Sequence, residues 1–140
     1  MMNEPKIEMT KKERDCLLAI YREISASGFP LRLVDVSRLM GVRPPTALEL
    51  VDRLRRKGMV ERRRGLITLS KDGMDVARGL VAVHRALEVF FSGCGLSADE
   101  ACRLVSQFDY MVGPAMAPRI LSALGNPSTC PHGYPIPDLR

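Results

Sequence analysis

The side chains that could do chemistry lie on two predicted helices in the second half of the sequence. His84 and Glu88 are four residues apart, so both heads can reach one point beside a helix face. Cys102, Ser106 and Asp109 fall at i, i+4 and i+7 on one face of the next predicted helix. An imidazole, a carboxylate and a thiolate that converge between helices suit Fe(II), Mn(II) or Zn(II). The His84 and Glu88 spacing also fits a local hydrogen bond, and both interpretations stay open.

The elements of the first half have the order of a winged helix-turn-helix. Apolar residues at three- and four-residue steps predict a helix from Thr10 to about Ala26. A short helix in RLVDVSRLMG ends at Gly41, and PPTALELVDRLRRKG is the third helix. Two short strands, MVERR and LITLS, then form a hairpin around Arg64-Gly65. We therefore predict a DNA-binding domain over residues 1–70.

Three more helices are predicted in the second half. Capping signals at Ser70 and Ser97 begin two of them, which end near Ser92 and at Gly113-Pro114. A last helix runs to about Leu124. The apolar content of these helices exceeds what one small winged-helix core requires, so a dimerisation region is its natural use.

The predicted fold class is therefore mainly α. It consists of a winged helix-turn-helix followed by a helical dimerisation and metal-binding region over residues 71–140. We expect a two-fold homodimer, the commonest closed assembly. The side chains expected at its interface are the large apolar ones of the last three helices: Leu87, Phe90, Phe91, Leu104, Phe108, Ile120 and Leu121.

A basic stretch at the end of the third helix and in the hairpin points to a phosphate-rich partner. Its seven basic residues, opposed there only by Glu61, are Arg53, Arg55, Arg56, Lys57, Arg62, Arg63 and Arg64. In a helix-turn-helix protein the third helix enters the major groove and flanking residues contact phosphates. Arginine suits this task because its planar group donates two parallel hydrogen bonds. A solvated charged face is the alternative, but the surrounding helix and hairpin pattern favours double-stranded DNA.

The exposed front of the third helix is predicted to read bases. Glu49 is placed to accept a hydrogen bond from a cytosine amino group, and Thr46 to contact a thymine methyl group. Glu49 is equally well placed to pair with Arg53 at i+4. The full set of predicted DNA-binding residues is Arg43, Pro45, Thr46, Glu49, Arg53, Arg62, Arg63 and Arg64.

Composition excludes several other classes of protein. A hydrophobic fraction of 46% is too high for a disordered chain, and the net charge of +5 makes an anionic partner plausible. No secretory signal or apolar run of about 20 residues is visible, so we expect a cytoplasmic protein without a membrane span. The four cysteines are then thiols or ligands rather than disulfides. No phosphate loop or nucleophile elbow is found, so we do not expect an enzyme, although Cys102 and Cys130 near His84 could mimic a thiol site.

Three segments carry a resemblance to a known family. After the winged-helix pattern come "VHRALEVFF", "EACRLVSQFDYM" and "NPSTCPHGYPIP", in that order. In this the chain resembles the iron- and manganese-dependent repressors of the diphtheria toxin repressor type over roughly residues 10–137. The His-x-x-x-Glu step and the Cys-Pro-His-Gly tail are specific family marks, whereas the winged-helix pattern is shared by many regulators.

The resemblance implies two neighbouring metal sites. In the family one ligand comes from the first helix, and Asp15 holds that position here. His84 and Glu88 match the family's histidine and glutamate, Asp109 matches an acidic ligand, and Cys102 stands where some members carry a histidine. Ser106 and Tyr110 depart from the family pattern and are poor ligands. In manganese-type relatives the tail completes a second site, so the predicted ligands are Asp15, His84, Glu88, Cys102, Asp109, Cys130 and His132.

The tail allows a second interpretation. Its prolines could fix a turn over the fifth helix, which would make Cys130 and His132 a packing motif rather than ligands. The expected cofactor is Fe(II) or Mn(II), with Zn(II) and Co(II) also acceptable to these ligands.

The function that these observations predict is a dimeric, metal-responsive repressor of metal-homeostasis genes. The alternative is a winged-helix regulator that has lost metal sensing, with Ser106 and Tyr110 as signs of decay. Because the sequence stops after PIPDLR, we expect the short two-part form without the further domain of longer relatives.

Overall fold

The structure is a computed structural model that describes residues 8–139. It is mainly helical, as predicted. The chain divides into two units, one formed by Met9–Ala77 and one that begins at Arg78. Within the described residues, no helix combines the length and apolarity needed to cross a membrane.

The N-terminal unit has the predicted three helices and hairpin. Its elements are α1 (Lys11–Ser27), α2 (Leu33–Met40), α3 (Pro44–Arg56), β1 (Val60–Arg63) and β2 (Leu66–Leu69). The Thr10 hydroxyl begins α1 by accepting a hydrogen bond from the Glu13 backbone N–H at 3.1 Å. Gly28 ends the helix in the left-handed conformation, with a φ of 76°. The winged helix-turn-helix prediction is thus confirmed.

The hairpin turns where the sequence predicts. Arg64 and Gly65 have φ values of 52° and 77°, the left-handed pair of a tight turn that matches the twist of two strands. Ile67 on β2 is fully buried and forms a bridge with Leu31, which comes just before α2. One side of the hairpin is therefore anchored in the core, while its arginine-rich turn lies at the surface.

The C-terminal unit is built around a long helix that starts in the N-terminal unit. Its elements are α4 (Lys71–Gly93), α5 (Ala98–Val105), a 3-10 turn (Asp109–Met111) and α6 (Met116–Ala123). Small side chains let α4 pack closely, since Ala82 and Val83 are fully buried against Ala117. A Cβ atom added at Gly79 would lie 2.6 Å from Pro114 Cβ, so no larger residue fits there.

The fifth helix is shorter than predicted. The Ser106 hydroxyl donates to the Cys102 carbonyl oxygen at 2.7 Å, and the next amide bonds only three residues back, from Gln107 to Leu104. The backbone therefore tightens toward a 3-10 geometry and leaves the α-helix. The prediction of one helix to Gly113 is wrong, and Asp109 lies on a separate turn rather than on the α5 face.

The tail is held along α4 by two arginines of that helix. Arg85 donates a hydrogen bond to the Pro135 carbonyl oxygen, and its guanidinium carbon lies 5.4 Å from the Tyr134 ring centroid. Arg78 Nη2 donates to the Asp138 carbonyl oxygen at 3.1 Å. The proline-rich segment is thus an ordered part of the C-terminal unit.

Candidate metal centre and nucleic-acid interface

The first ligand group joins α4 to α5 and consists of His84, Glu88 and Cys102. His84 Nε2 lies 3.0 Å from Glu88 Oε1 and 3.5 Å from Cys102 Sγ. All three ligand atoms lie within 4.8 Å of one another. Donors at about 2.0 to 2.3 Å from a tetrahedral ion are roughly 3.5 Å apart, so this spacing fits a metal. The i, i+4 step on α4 brings the histidine and the glutamate together, as predicted.

Asp109 orients the histidine of this group. His84 Nδ1 lies 2.8 Å from Asp109 Oδ2, and the aspartate is fully buried. Burial lowers the pKa of His84, but hydrogen bonds to Asp109 and Glu88 outweigh it and raise that pKa from 6.5 to about 9. Because the Asp109 carboxylate holds Nδ1, the other ring nitrogen, Nε2, is directed toward Glu88 and Cys102. Asp109 belongs to neither ligand group of the described chain, so its predicted role as a direct ligand stays a prediction.

The second ligand group joins α4 to the tail and consists of Glu88, Cys130 and His132. His132 Nδ1 lies 3.3 Å from Glu88 Oε2, and the ligand atoms of the group again lie within 4.8 Å of one another. A tight turn shapes the tail here, because the Gly133 backbone N–H donates to the Cys130 carbonyl oxygen at 2.8 Å. Gly133 has a φ of 86°, which favours glycine.

Glu88 is common to both groups. Its Oε1 atom contacts His84 and its Oε2 atom contacts His132, while its side chain is 3% exposed. Each group therefore offers one imidazole, one thiol and an oxygen of the same carboxylate. No disulfide joins the cysteines, all four of which lie in the described chain. This mixed donor set fits borderline divalent metals such as Fe(II), Zn(II) and Co(II).

Sequence reasoning missed Asp99, which contacts the other side of the tail histidine. His132 Nε2 lies 2.8 Å from Asp99 Oδ1, in the first turn of α5. This hydrogen bond raises the pKa of His132 and lowers the pKa of Asp99. The two residues are 33 positions apart, so no local spacing signals the contact.

One more predicted ligand, Asp15, belongs to neither ligand group of the described chain. Asp15, on α1 in the N-terminal unit, forms ion pairs with Lys11 Nζ at 3.0 Å and Arg14 Nη1 at 2.9 Å. Its role as a ligand stays a prediction. Ser106 and Tyr110 are the two departures from the family pattern. The Ser106 hydroxyl donates a hydrogen bond to the Cys102 carbonyl oxygen, and Tyr110 is half-buried in the 3-10 turn.

The predicted base-reading residues lie at the start of α3. Arg43 precedes the helix and is exposed, as is Pro45, whereas Thr46 is half-buried. Glu49 Oε1 pairs with Arg53 Nη2 at 2.5 Å, which is the i+4 contact predicted as an alternative to cytosine recognition. Both roles remain compatible with the fold, since DNA can compete for either partner of an exposed ion pair.

The predicted phosphate-contacting arginines lie on the hairpin. Arg63 and Arg64 are exposed and Arg62 is half-buried. Lys57, from the same basic stretch, forms an ion pair with the buried carboxylate of Glu13. The residues of the basic stretch therefore differ in role, because the charge of Lys57 is paired with a carboxylate of the protein itself.

Comparison with known proteins tests the family resemblance seen in the sequence. Residues 70–138 match the family described as iron dependent repressor, metal binding and dimerisation domain. Residues 70–138 therefore belong to the iron-dependent repressor family. The resemblance predicted from the three sequence segments is therefore confirmed. Members of this family are metal-dependent transcriptional regulators, a class of DNA-binding proteins rather than of enzymes.

Two further proteins are similar to most of the chain. The chain is 26% identical over 102 residues to an HTH-type transcriptional regulator of Methanocaldococcus jannaschii, covering 69% of this chain and 82% of the relative. A hypothetical protein from Sulfolobus solfataricus is 27% identical with a TM-score of 0.78, and the match covers 93% of this chain and all of that protein.

A longer solved relative carries metal. A manganese-dependent transcriptional repressor in complex with manganese is 30% identical with a TM-score of 0.77. The match covers 91% of this chain but only 59% of that protein. The chain thus spans less than two thirds of the length of the manganese-bound relative.

Proposed function

We propose that this protein is a metal-responsive, DNA-binding transcriptional repressor of the iron or manganese type, acting as a cytoplasmic homodimer on metal-homeostasis genes. The observation that carries the proposal is Glu88, whose two oxygens each face a separate set of imidazole and thiol ligands. These two groups count against the alternative regulator that has lost metal sensing. Departures at Ser106 and Tyr110 leave both groups intact.

The proposed ligands are those of the two groups: His84, Glu88, Cys102, Cys130 and His132. Fe(II) or Mn(II) is the expected ion, with Zn(II) and Co(II) as alternatives. A bound divalent ion supplies strong bonds among side chains of α4, α5 and the tail. The ion can switch the protein only through tighter binding to the DNA-competent state, and a change from 1:99 to 99:1 needs about 10⁴-fold tighter binding.

The proposed DNA contacts divide by role. Residues at the front of α3, namely Arg43, Pro45, Thr46 and Glu49, face the bases, and Arg53 with the three hairpin arginines contacts phosphates. Exposure of Arg63 and Arg64 at the tight turn of the hairpin supports this assignment. Two copies present two α3 helices, which suits half-sites about one helical turn of DNA apart.

Large exposed apolar side chains in the C-terminal unit support the dimer. Phe90 is 47% exposed, Leu104 is 40% exposed and Met111 is 65% exposed. Phe90 also packs edge-on against Phe91, with ring centroids 5.1 Å apart. Exposed aromatic and large aliphatic side chains are typical of a subunit interface.

Gel retardation of genomic DNA fragments tests the proposal. The protein is incubated with Fe(II), Mn(II), Zn(II), Co(II) or chelator in parallel, and we expect retardation of specific fragments only with metal. Glu88→Gln keeps the buried shape but removes the shared charged ligand, so it should abolish the metal effect. Glu100→Gln, an exposed change in α5, is the matched control. Equal DNA affinity with metal and with chelator would contradict metal sensing.

A further inference from the structure

We propose that the two histidines bind metal through opposite ring nitrogens, His84 through Nε2 and His132 through Nδ1, and that Asp99 is the positioning residue that enforces this choice at His132. The inference rests on the proposed function, because it concerns the same two ligand groups. It adds a residue that neither ligand group contains, and it states which atom of each ring is the ligand.

The arrangement at His84 serves as the reference. Its Nδ1 atom faces a buried carboxylate, Asp109 Oδ2, at 2.8 Å, while Nε2 faces Glu88 and Cys102. An ionised carboxylate only accepts hydrogen bonds, so it keeps the proton on Nδ1. The lone pair of the neutral ring is then on Nε2, directed at the other ligands.

His132 shows the same pattern with the nitrogens exchanged. Nδ1 lies 3.3 Å from Glu88 Oε2, on the side of the ligand group, and Nε2 lies 2.8 Å from Asp99 Oδ1. By the same reasoning Asp99 keeps the proton on Nε2 and leaves Nδ1 for the metal. Each histidine is thus held between Glu88 and an aspartate of its own.

The Asp99 contact is one of two hydrogen bonds that set the ring orientation of His132. Arg85 fixes the tail through the Pro135 carbonyl oxygen and the Tyr134 ring, but neither contact involves a nitrogen of the imidazole. Rotating the imidazole by half a turn would direct carbon atoms at both carboxylates and lose both hydrogen bonds. Asp99 and Glu88 together therefore select one of the two ring positions.

Because Asp99 lies at the surface, its positioning role can be tested by substitution without disturbing the core. Its side chain is 79% exposed, whereas that of Asp109 is 0% exposed. Asp99→Ala therefore leaves no cavity, and the α5 cap at Ser97 is retained through its bond to the Glu100 backbone N–H. Any effect on metal binding then reports on the contact with His132.

Nitrogen-15 NMR of untagged, histidine-labelled protein loaded with diamagnetic Zn(II) reads the ligand atoms directly. The chain has only two histidines, so His132→Gln assigns both rings. We expect metal-bound Nε2 with protonated Nδ1 for His84, and metal-bound Nδ1 with protonated Nε2 for His132. Zinc bound to Nε2 of His132 would overturn the proposal.

Zinc titrations of Asp99 variants test the positioning role. Loss of an outer partner of a ligating histidine typically lowers metal affinity 10- to 100-fold, so Asp99→Ala should weaken one of two equivalents by about that factor. Asp99→Asn keeps an oxygen acceptor and should recover part of the affinity. Glu100→Ala removes the same charge from the same helical turn and should have no comparable effect.

The outcomes separate this inference from the function on which it rests. If the parent protein binds no zinc, iron, manganese or cobalt, the proposed function and this inference both fail. If the parent binds two equivalents and Asp99→Ala binds them equally well, only the role of Asp99 is overturned. An equal loss in Asp99→Ala and Glu100→Ala would mean that charge alone matters, which also overturns it.

Discussion

Glu88 and His132 are 44 residues apart in the sequence, yet His132 Nδ1 lies 3.3 Å from Glu88 Oε2. The other oxygen of the same carboxylate lies 3.0 Å from His84 Nε2, one helical turn away on α4. The Glu88 side chain thus contacts both the histidine of its own helix and the histidine of the C-terminal tail. Changes at Glu88 should affect both ligand groups, whereas a change at any other ligand should affect one group.

Cobalt absorption should distinguish the two thiolates. We expect two Co(II) equivalents in the parent protein, with a thiolate-to-cobalt charge-transfer band. Cys130→Ser and Cys102→Ser should each remove one equivalent and about half of the band, because each group contains one thiol. Cys94→Ser is the control, since Cys94 is exposed and outside both groups. A band that survives Cys130→Ser but is lost in Cys102→Ser would make the tail a packing motif.

Metal affinity and the stability of chelator-treated protein should change in opposite directions with pH. Hydrogen bonds to Asp109 and Glu88 overcome burial and raise the pKa of His84 from 6.5 to about 9. The stabilisation from the protonated ring is therefore fully present below pH 6.5 and is lost as the pH rises through about 9. A metal must displace that proton, so affinity should fall at least about tenfold per pH unit below the pKa.

Thermal unfolding and competitive metal titration between pH 6.5 and 9.5 measure these two slopes. His84→Gln is the matched variant, because it removes the titrating ring and should flatten the pH dependence of the chelator-treated protein. A parent protein whose metal affinity stays constant over this range would contradict the displacement of a proton.

The hairpin arginines should contribute affinity without sequence preference. Replacing Arg62, Arg63 or Arg64 with Ala should weaken binding to all DNA sequences alike and reduce the salt slope by about 1, because one phosphate is then no longer neutralised by the protein. Fluorescence anisotropy over a series of salt concentrations measures the slope. Arg119→Ala, an exposed change on α6, controls for net charge. An unchanged slope and affinity would remove that arginine from the interface.

Light scattering should detect a dimer that depends on the C-terminal unit. Phe90→Asp places a charge in a 47% exposed aromatic position and should give a monomer at micromolar concentration, because a charge cannot be buried there without a partner. Phe29→Asp changes a 71% exposed aromatic residue of the N-terminal unit and should leave the dimer intact. A monomeric parent, with and without metal, would refute the dimer.

The sequence by itself determined the elements whose signals are local. Caps at Thr10 and Ser97 start helices where predicted, and Arg64-Gly65 makes the expected hairpin turn. His84 and Glu88 meet because residues four apart on a helix always share a face. These features follow from backbone geometry and hydrogen bonds within a few residues, so the residue pattern is sufficient to predict them.

Only the tertiary structure decided what faces the two histidines. The α5 helix ends at Val105, eight residues before the predicted Gly113, because the Ser106 hydroxyl and the following 3-10 bonds redirect the backbone. That break places Asp109 against His84, and the packing of the tail on α4 brings His132 between Glu88 and Asp99. Contacts across 25 to 44 residues depend on how helices and turns pack, and no short spacing in the chain encodes that packing.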